Sequence, residues 1–120
     1  MNLREPRDGA KAVPAAIRRG TEYIDEHLGD EVTVADVAEA AHLSVRGITE
    51  AFRRELETTP MNYLRAGRLA AAHRDLLDSD ASTGATVASI AHRWGFNNMG
   101  RFAAAYRQQF GTSPATTLRG

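Results

Sequence analysis

The sequence contains no cysteine, and its apolar stretches are all short and interrupted by charged residues. The first absence excludes disulfides, thiolate metal sites and cysteine nucleophiles, and it is compatible with a reducing cytosol. The second absence predicts no membrane-spanning segment, and the N-terminus has no apolar signal segment. We therefore expect a soluble protein of the cytoplasm with no membrane partner.

The chain also lacks the sets of residues that catalysis or metal binding requires. Its histidines are His27, His42, His73 and His92. No two of them have the i, i+4 spacing that places two metal ligands on one face of a helix. No motif combines an acid, a base and a nucleophile. The sequence therefore predicts that the protein is not an enzyme and that it has no cofactor and no metal site.

Charge is distributed unevenly along the chain, although the formal net charge is zero. Residues 1–39 contain nine acids and five bases, whereas residues 40–74 contain six arginines and three glutamates. No acid lies between residues 81 and 120, where there are four arginines. Two segments can therefore present a basic face to a polyanion despite the neutral total.

One pattern occurs twice. The segment FRRELETTP at residues 52–60 is followed 54 positions later by YRQQFGTSP at residues 106–114. Upstream of these segments, Thr33 and Thr86 each begin a similar apolar pattern, 53 positions apart. The second copy therefore has one additional residue in the turn between its two helical patterns. Each copy contains a short helix, a tight turn and a second helix, which predicts two helix-turn-helix units.

The predicted fold class is all-α, with about seven helices and no strand signal. Two helix-turn-helix subdomains are expected, joined by a long helix that begins near Pro60, a residue suited to the first turn of a helix. The predicted boundaries are a disordered lead-in or interdomain linker at 1–14, a first subdomain at 15–59, a connecting helix at 60–78 and a second subdomain at 79–120.

In a helix-turn-helix unit the second helix lies in the DNA major groove, with its outward side chains at the base edges. We predict these recognition helices at about 44–56 and 98–110. Ile48, Phe52 and Leu56 recur at helical spacing and predict the inner side of the first one. The outward side chains predicted to read bases are Val45, Arg46, Thr49 and Glu50 in the first helix and Asn98, Met99 and Arg101 in the second.

A second group of polar side chains is predicted to contact DNA phosphates. This group consists of Thr33, Ser44, Arg53, Arg54, Arg68, Thr86, Asn97 and Arg107. Two alternatives remain open. Arg46 and Glu50 are four residues apart, so they can pair with each other along the helix. Arg68 can pair with Glu55 or with an N-terminal acid instead of a phosphate.

The two predicted recognition helices differ in what they offer to bases. Arginine can donate two hydrogen bonds to guanine, threonine can contact a thymine methyl group, and glutamate can accept from the cytosine amino group. The second helix instead has Gly100, Ala103 and Ala104 on its matching face, and none of these has a hydrogen-bonding side chain. We expect specificity to concentrate in the first unit and the second unit to contribute mainly positioning, with Arg101 as its strongest base contact.

Three segments resemble the DNA-binding domain of the AraC/XylS family of bacterial transcription regulators. ATVASIAHRWGFNNMGRFAAAYRQQFGTSP, at residues 85–114, resembles the signature around the second helix-turn-helix of that family. HLSVRGITEAFRREL, at residues 42–56, is similar to the first recognition helix, and YLRAGRLAAAHRDLL, at residues 63–77, to the connecting helix. The resemblance covers the chain from about Ile17 to Arg119.

The resemblance implies a sequence-specific domain that binds double-stranded promoter DNA in the bacterial cytoplasm. It implies that both recognition helices enter successive major-groove segments on one face of the duplex. It also implies a sensor or dimerisation domain that is missing here, and RNA polymerase as a partner if the regulator is an activator. With the linker-like residues 1–14, we expect a fragment of a longer regulator. The alternative is a protein-interaction module that kept the fold but lost specific operator binding, which the zero net charge and the plain second helix favour.

One departure from the family pattern concerns the end of the first recognition helix. Glu57 stands where the family usually has glycine and where the second copy has Gly111. A helix often ends at a residue with positive φ, which glycine adopts without strain. We therefore expect Glu57 to destabilise the first unit.

Overall fold

The computed structural model describes residues 4–79 and 81–119, and within these ranges every regular element is helical. The helices are α1 (Arg4–Glu26), α2 (Val34–Ala41), α3 (Val45–Leu56), α4 (Pro60–Asp78), α5 (Val87–Arg93), α6 (Met99–Phe110) and α7 (Pro114–Arg119), with a single 3₁₀ turn at Ala81–Thr83. The prediction of an all-α fold with about seven helices is confirmed. No described helix is both long and apolar enough to cross a membrane.

The first helix begins earlier than the sequence predicts. The sequence predicts a disordered lead-in at 1–14, whereas α1 begins at Arg4 and contains Pro14. Proline lacks the N–H that bonds to the carbonyl four residues earlier in a helix. It is tolerated in the first turn, where that N–H has no partner, so Pro14 in the sequence indicates a helix start. The preceding Ala10, Lys11 and Ala12 favour helix, and the structure continues α1 through them. Residues 1–3 lie outside the described ranges, and the linker role of the segment stays a prediction.

The chain divides into two compact units, Met1–Arg65 and Ala66–Gly120. The division falls within α4, which the sequence predicts as a connecting segment of its own at 60–78. The boundaries of the predicted subdomains at 15–59 and 79–120 therefore stay predictions. Each unit has its own apolar core.

The core of the first unit is formed by α1, α2 and α3, together with Leu64 of α4. Its fully buried members include Ile24, Val37, Ile48 and Phe52. Gly20 of α1 allows a close approach, because a Cβ there would lie 3.2 Å from the Phe52 ring and 3.4 Å from Val37. The short α2 and the recognition helix α3 are thus packed against a longer helix.

The predicted inner side of α3 is correct for Ile48 and Phe52 and wrong for Leu56. Both Ile48 and Phe52 are fully buried, whereas Leu56 is 39% exposed. Leu56 is the last residue of α3, and the chain turns at Glu57, so no further helical turn covers it. Ala51, beside Phe52, is buried in addition.

The core of the second unit combines apolar packing with a buried polar network. Phe102 and Tyr106 of α6 are buried against Leu76 and Ile90. The Tyr106 hydroxyl donates to Thr117 Oγ1 at 2.9 Å and lies 2.7 Å from His73 Nδ1. A buried hydroxyl with two partners avoids the cost of an unsatisfied polar group.

The two recognition helices end with the same backbone geometry. Glu57 has φ 56° and ψ 36°, in the left-handed region, and Gly111 has φ 78° and ψ 2°. The Glu57 N–H donates to the Arg53 carbonyl at 3.1 Å, and the Gly111 N–H donates to the Arg107 carbonyl at 2.8 Å. Glu57 therefore occupies the conformation that favours glycine, and it also places a negative charge at the negative end of α3.

Replacing Glu57 with glycine is expected to raise the free energy of unfolding by about 1 kcal/mol, because glycine adopts this φ without a Cβ clash. Urea denaturation monitored by circular dichroism measures the change. The reciprocal Gly111→Glu variant is the matched control and should be destabilised by a similar amount. An unchanged midpoint for Glu57→Gly would contradict the strain assigned to this residue.

Candidate nucleic-acid interface

The first helix of each helix-turn-helix unit begins with a capping box. Thr33 Oγ1 accepts from the Asp36 N–H at 3.1 Å, and the Asp36 carboxylate accepts from the Thr33 N–H at 3.0 Å. Thr86 and Ser89 exchange the same two bonds at 2.9 and 3.1 Å. These reciprocal bonds satisfy N–H groups that a helix N-terminus otherwise leaves without partners. The N-termini of α2 and α5, the first helices of the two helix-turn-helix units, are thereby stabilised.

The turns between the two helices of each unit share one hydrogen bond. The Leu43 N–H donates to the Ala38 carbonyl, and the Phe96 N–H donates to the Ala91 carbonyl, both at 3.0 Å. In each turn the residue before the one that donates this bond has a positive φ. In the first turn this residue is His42, with φ 62°. In the second turn it is Gly95, at φ 89°. The sequence alignment of the copies pairs these two positions, but the residue types alone do not predict a left-handed histidine.

The recognition helix α3 presents its predicted base readers outward. Ser44 caps the helix, since its Oγ accepts from the Gly47 N–H at 3.0 Å. Val45 is 44% exposed, and the side chains of Arg46 and Glu50 are 88% and 56% exposed. Thr49 is half-buried on the same helix. The four predicted readers thus lie on or beside the surface of a helix whose opposite side is buried.

Two of the predicted readers contact each other. Arg46 Nε donates to Glu50 Oε2 at 3.2 Å, one helical turn away. This is the intrahelical pair that the sequence left open as an alternative to base contacts. Exposed ion pairs contribute only about 0–1 kcal/mol, so DNA can compete for either partner.

The basic residues in the last turn of α3 are also at the surface. Arg53 is exposed, and Arg54 Nε lies 3.5 Å from Glu55 Oε2 in a pair that is exposed on both sides. A solvated pair of this kind leaves the guanidinium able to bind a phosphate. The pairing of Arg68 with Glu55, which the sequence left open, stays a prediction.

The second recognition helix, α6, is capped by a predicted base reader. Asn98 Oδ1 accepts from the Arg101 N–H at 2.8 Å, which leaves the two donors of the side-chain amide for other partners. Met99 is 38% exposed, and Asn97, Arg101 and Arg107 are exposed. Polar and basic groups therefore lie at the N-terminus of α6, and a further arginine, Arg107, lies in its last turn.

Three predicted phosphate contacts are helix-capping hydroxyls. Thr33, Ser44 and Thr86 each accept a backbone N–H of the helix that follows. A hydroxyl that accepts in this way still has its own hydrogen to donate. Each can therefore stabilise its helix and donate to a phosphate oxygen at the same time.

The pKa of two tyrosines in the first unit is raised. Burial and then the neighbouring Asp36 raise the pKa of Tyr23, and burial and then Asp25 raise that of Tyr63. The Tyr63 hydroxyl donates to the Asp25 carboxylate oxygens, both at 3.4 Å. Both phenols therefore stay neutral at physiological pH. Among the described residues no group of histidine and carboxylate side chains could hold a metal ion.

Comparisons with known proteins agree with this geometry. A family model described as a helix-turn-helix domain matches residues 37–120. The probable thc operon regulatory protein of Rhodococcus erythropolis is 44% identical over 109 residues, which cover 90% of this chain and 32% of that protein. The crystal structure of a probable AraC family transcriptional regulator from Rhodopseudomonas palustris is 37% identical, with a TM-score of 0.79, and covers 88% of this chain and 98% of that one. The chain belongs to the AraC/XylS family.

Membership of the AraC/XylS family confirms the resemblance found in the sequence. The family is one of transcription regulators rather than enzymes, and the chain is a helix-turn-helix DNA-binding domain. A further similar structure is the DNA-binding domain of AdpA, described as a global transcriptional factor in complex with a target DNA. It is 29% identical, has a TM-score of 0.70, and covers 83% of this chain and 86% of that one. The chain spans about a third of the length of the first curated relatives that it matches.

In this AraC/XylS domain, side chains of α4 contact the turn between α5 and α6. Asp75 Oδ2 accepts from the Trp94 indole N–H and from an Arg93 Nη group, both at 2.8 Å. The Arg68 guanidinium lies against Gly95, where a Cβ would come within 3.3 Å of an Nη atom. The sequence did not predict a role for Asp75, and it offered no signal beyond an acid 19 residues before the single tryptophan. The phosphate contact of Arg68 stays a prediction, since Arg68 is half-buried beside this turn.

Replacing Asp75 with alanine is expected to lower the free energy of unfolding by about 1–2 kcal/mol, because the half-buried Trp94 N–H loses its acceptor. Asp75→Asn keeps an acceptor oxygen and should lose about half as much. Unfolding can be followed by the fluorescence of Trp94, the only tryptophan of the chain. Asp78→Ala, at an exposed aspartate near the end of the same helix, serves as the control. Equal stability of Asp75→Ala and Asp78→Ala would contradict the role of Asp75.

Proposed function

We propose that this domain binds double-stranded promoter DNA with sequence specificity, and that α3 and α6 each enter a segment of the major groove. The observation that carries the proposal is the exposed outward face of α3. There Arg46 is 88% exposed, and its neighbours Val45 and Glu50 are also at the surface. Ser44 caps this helix, and Ile48, Ala51 and Phe52 are buried on its opposite side.

The chemistry of these side chains fits base recognition. The Arg46 guanidinium can donate two parallel hydrogen bonds to O6 and N7 of guanine. The methyl groups of Val45 and Thr49 can contact a thymine methyl. Glu50 can accept from the amino group of cytosine, unless Arg46 holds it. One turn of α3 thus offers groups that distinguish between base pairs.

The second unit is proposed to position the domain more than to read sequence. The residues one repeat after Arg46 and Glu50 are Gly100 and Ala104, which are exposed but have no hydrogen-bonding side chain. Arg107 and Asn97 are suited to phosphate oxygens, and Arg101 is its strongest candidate for a base contact. Specificity is therefore assigned mainly to α3.

The likeness to the AdpA domain, whose structure is described with a target DNA, supports binding to duplex DNA. The first curated relatives are about three times as long as this chain. We propose that a sensor or dimerisation domain accompanies this domain in a longer bacterial regulator of the cytoplasm, and that RNA polymerase is a partner if that regulator activates transcription.

A competition titration tests the proposal. The domain is titrated by fluorescence polarisation onto a labelled duplex selected from a random library, at one fixed salt concentration, with an excess of scrambled duplex. Specific binding should survive the competitor, because base contacts make the selected site tighter by orders of magnitude than a random one. Equal competition by selected and scrambled duplexes would instead support a protein-interaction module without operator specificity.

A further inference from the structure

The contact between Arg46 and Glu50 suggests how α3 prepares a side chain for DNA, given the proposed function. Arg46 Nε donates to Glu50 Oε2 at 3.2 Å, although both side chains are mostly exposed. A long arginine side chain at a helix surface otherwise samples many rotamers. The contact with Glu50 restricts Arg46 to rotamers that run along α3 toward its C-terminal end.

The atom that Glu50 engages determines which edge of Arg46 remains for DNA. A guanidinium has five N–H donors in a rigid planar fork, and Nε contributes only one of them. With Nε occupied, the two terminal nitrogens remain available. These two nitrogens can donate the parallel pair of hydrogen bonds that O6 and N7 of guanine accept.

We propose that Glu50 acts as a positioning residue for Arg46 and does not itself read a base. The carboxylate orients the guanidinium for guanine before DNA arrives, which reduces the conformational entropy lost on binding. The same carboxylate repels phosphates and so weakens binding to duplexes that lack the guanine. Glu50 thereby favours the guanine site over duplexes that lack the guanine.

The second unit provides an internal comparison. The residues 54 positions after Arg46 and Glu50 are Gly100 and Ala104. They follow the same kind of N-cap, since Ser44 caps α3 and Asn98 caps α6. The backbone frame is thus repeated without the pair, so capping and helix formation do not require it. The pair is therefore free to serve recognition.

A double-mutant cycle on the folded domain tests the positioning role. Arg46→Ala, Glu50→Ala and the double variant are titrated onto duplexes that differ only at the base pair whose preference Arg46→Ala changes. Glu50→Ala should reduce the guanine preference about two- to fivefold, because the gain from positioning cannot exceed the strength of an exposed ion pair. It should also tighten binding to a scrambled duplex. In the Arg46→Ala background, Glu50→Ala should leave base preference unchanged.

Two further variants separate this role from simple charge or stability effects. Glu50→Gln keeps an oxygen that accepts from Arg46 Nε, so it should retain part of the guanine preference. Glu55→Ala removes an acid of the same helix that lies beside Arg54, and it should leave base preference intact. Thermal melting of each variant should stay close to that of the parent, because exposed pairs stabilise helices only slightly.

The outcomes distinguish the proposal from its rivals. A change of preference by Glu50→Ala in the Arg46→Ala background would show that Glu50 reads a base itself. An undiminished guanine preference in Glu50→Ala alone would show that Arg46 needs no positioning. If Arg46→Ala leaves every base preference unchanged, the assignment of specificity to α3 under the proposed function fails instead.

Discussion

Raising the salt concentration from about 50 to about 200 mM is expected to weaken binding of this domain to its selected DNA roughly 10²- to 10⁴-fold. The helices α3 and α6 and their flanking residues offer arginines for about four to seven phosphates. Each neutralised phosphate releases condensed counterions and contributes about 0.9 to the slope of log K against log salt. The zero net charge of the chain does not prevent this, because nine of its acids lie in residues 1–39 and none lies in residues 81–120.

The measurement is a series of polarisation titrations at increasing sodium chloride concentration, on one duplex. We expect a slope of about −4 to −6. Arg107→Ala should make the slope shallower by about one, because it removes one phosphate contact. A flat response in the parent domain would contradict phosphate binding by these residues.

Replacing Arg46 with alanine is expected to cost about 1–3 kcal/mol of binding free energy on the selected site, and to relax preference at one or two base pairs. The reason is the loss of a two-point contact to guanine that a phosphate contact cannot replace. Arg107→Ala is the matched comparison, since it should weaken binding to all duplexes alike. Titrations on the selected and a scrambled duplex measure both effects. Equal losses on both duplexes for Arg46→Ala would contradict base reading.

The repeated pattern in the sequence predicts most of the fold because it consists of local signals. Thr33 and Ser44 are recognisable caps, and both cap helices in the structure. Ile48 and Phe52 are buried as their spacing predicts. The pairing of Glu57 with Gly111 also predicts a shared helix end, and both residues have positive φ.

The contacts that hold the second turn could not be predicted in the same way. Asp75 of α4 accepts from Trp94, which follows α5 and lies 19 positions later in the sequence. No periodic pattern relates these two residues. The place of Arg68 beside Gly95 depends on how α4 packs within its unit. Leu56 fits the helical period, but periodicity does not show where the covering helices end. Tertiary packing therefore decides these positions.

The roles of the exposed side chains of α3 are harder to predict from the sequence than their positions. The sequence identifies Arg46 and Glu50 both as base readers and as partners of each other. The structure shows the pair. Outward position follows from the buried side of α3, but the function of an exposed side chain depends on what it contacts when DNA is bound.

The most direct test of the account is a binding-site selection from a random duplex library, carried out with the parent domain and with Arg46→Ala and Arg101→Ala. We predict an enriched motif in which one half-site is sharply defined, with its preference lost in Arg46→Ala and largely kept in Arg101→Ala. Selection of no enriched motif would contradict the central claim that α3 reads the sequence. So would a motif that Arg46→Ala leaves intact and whose sharpest positions change in Arg101→Ala.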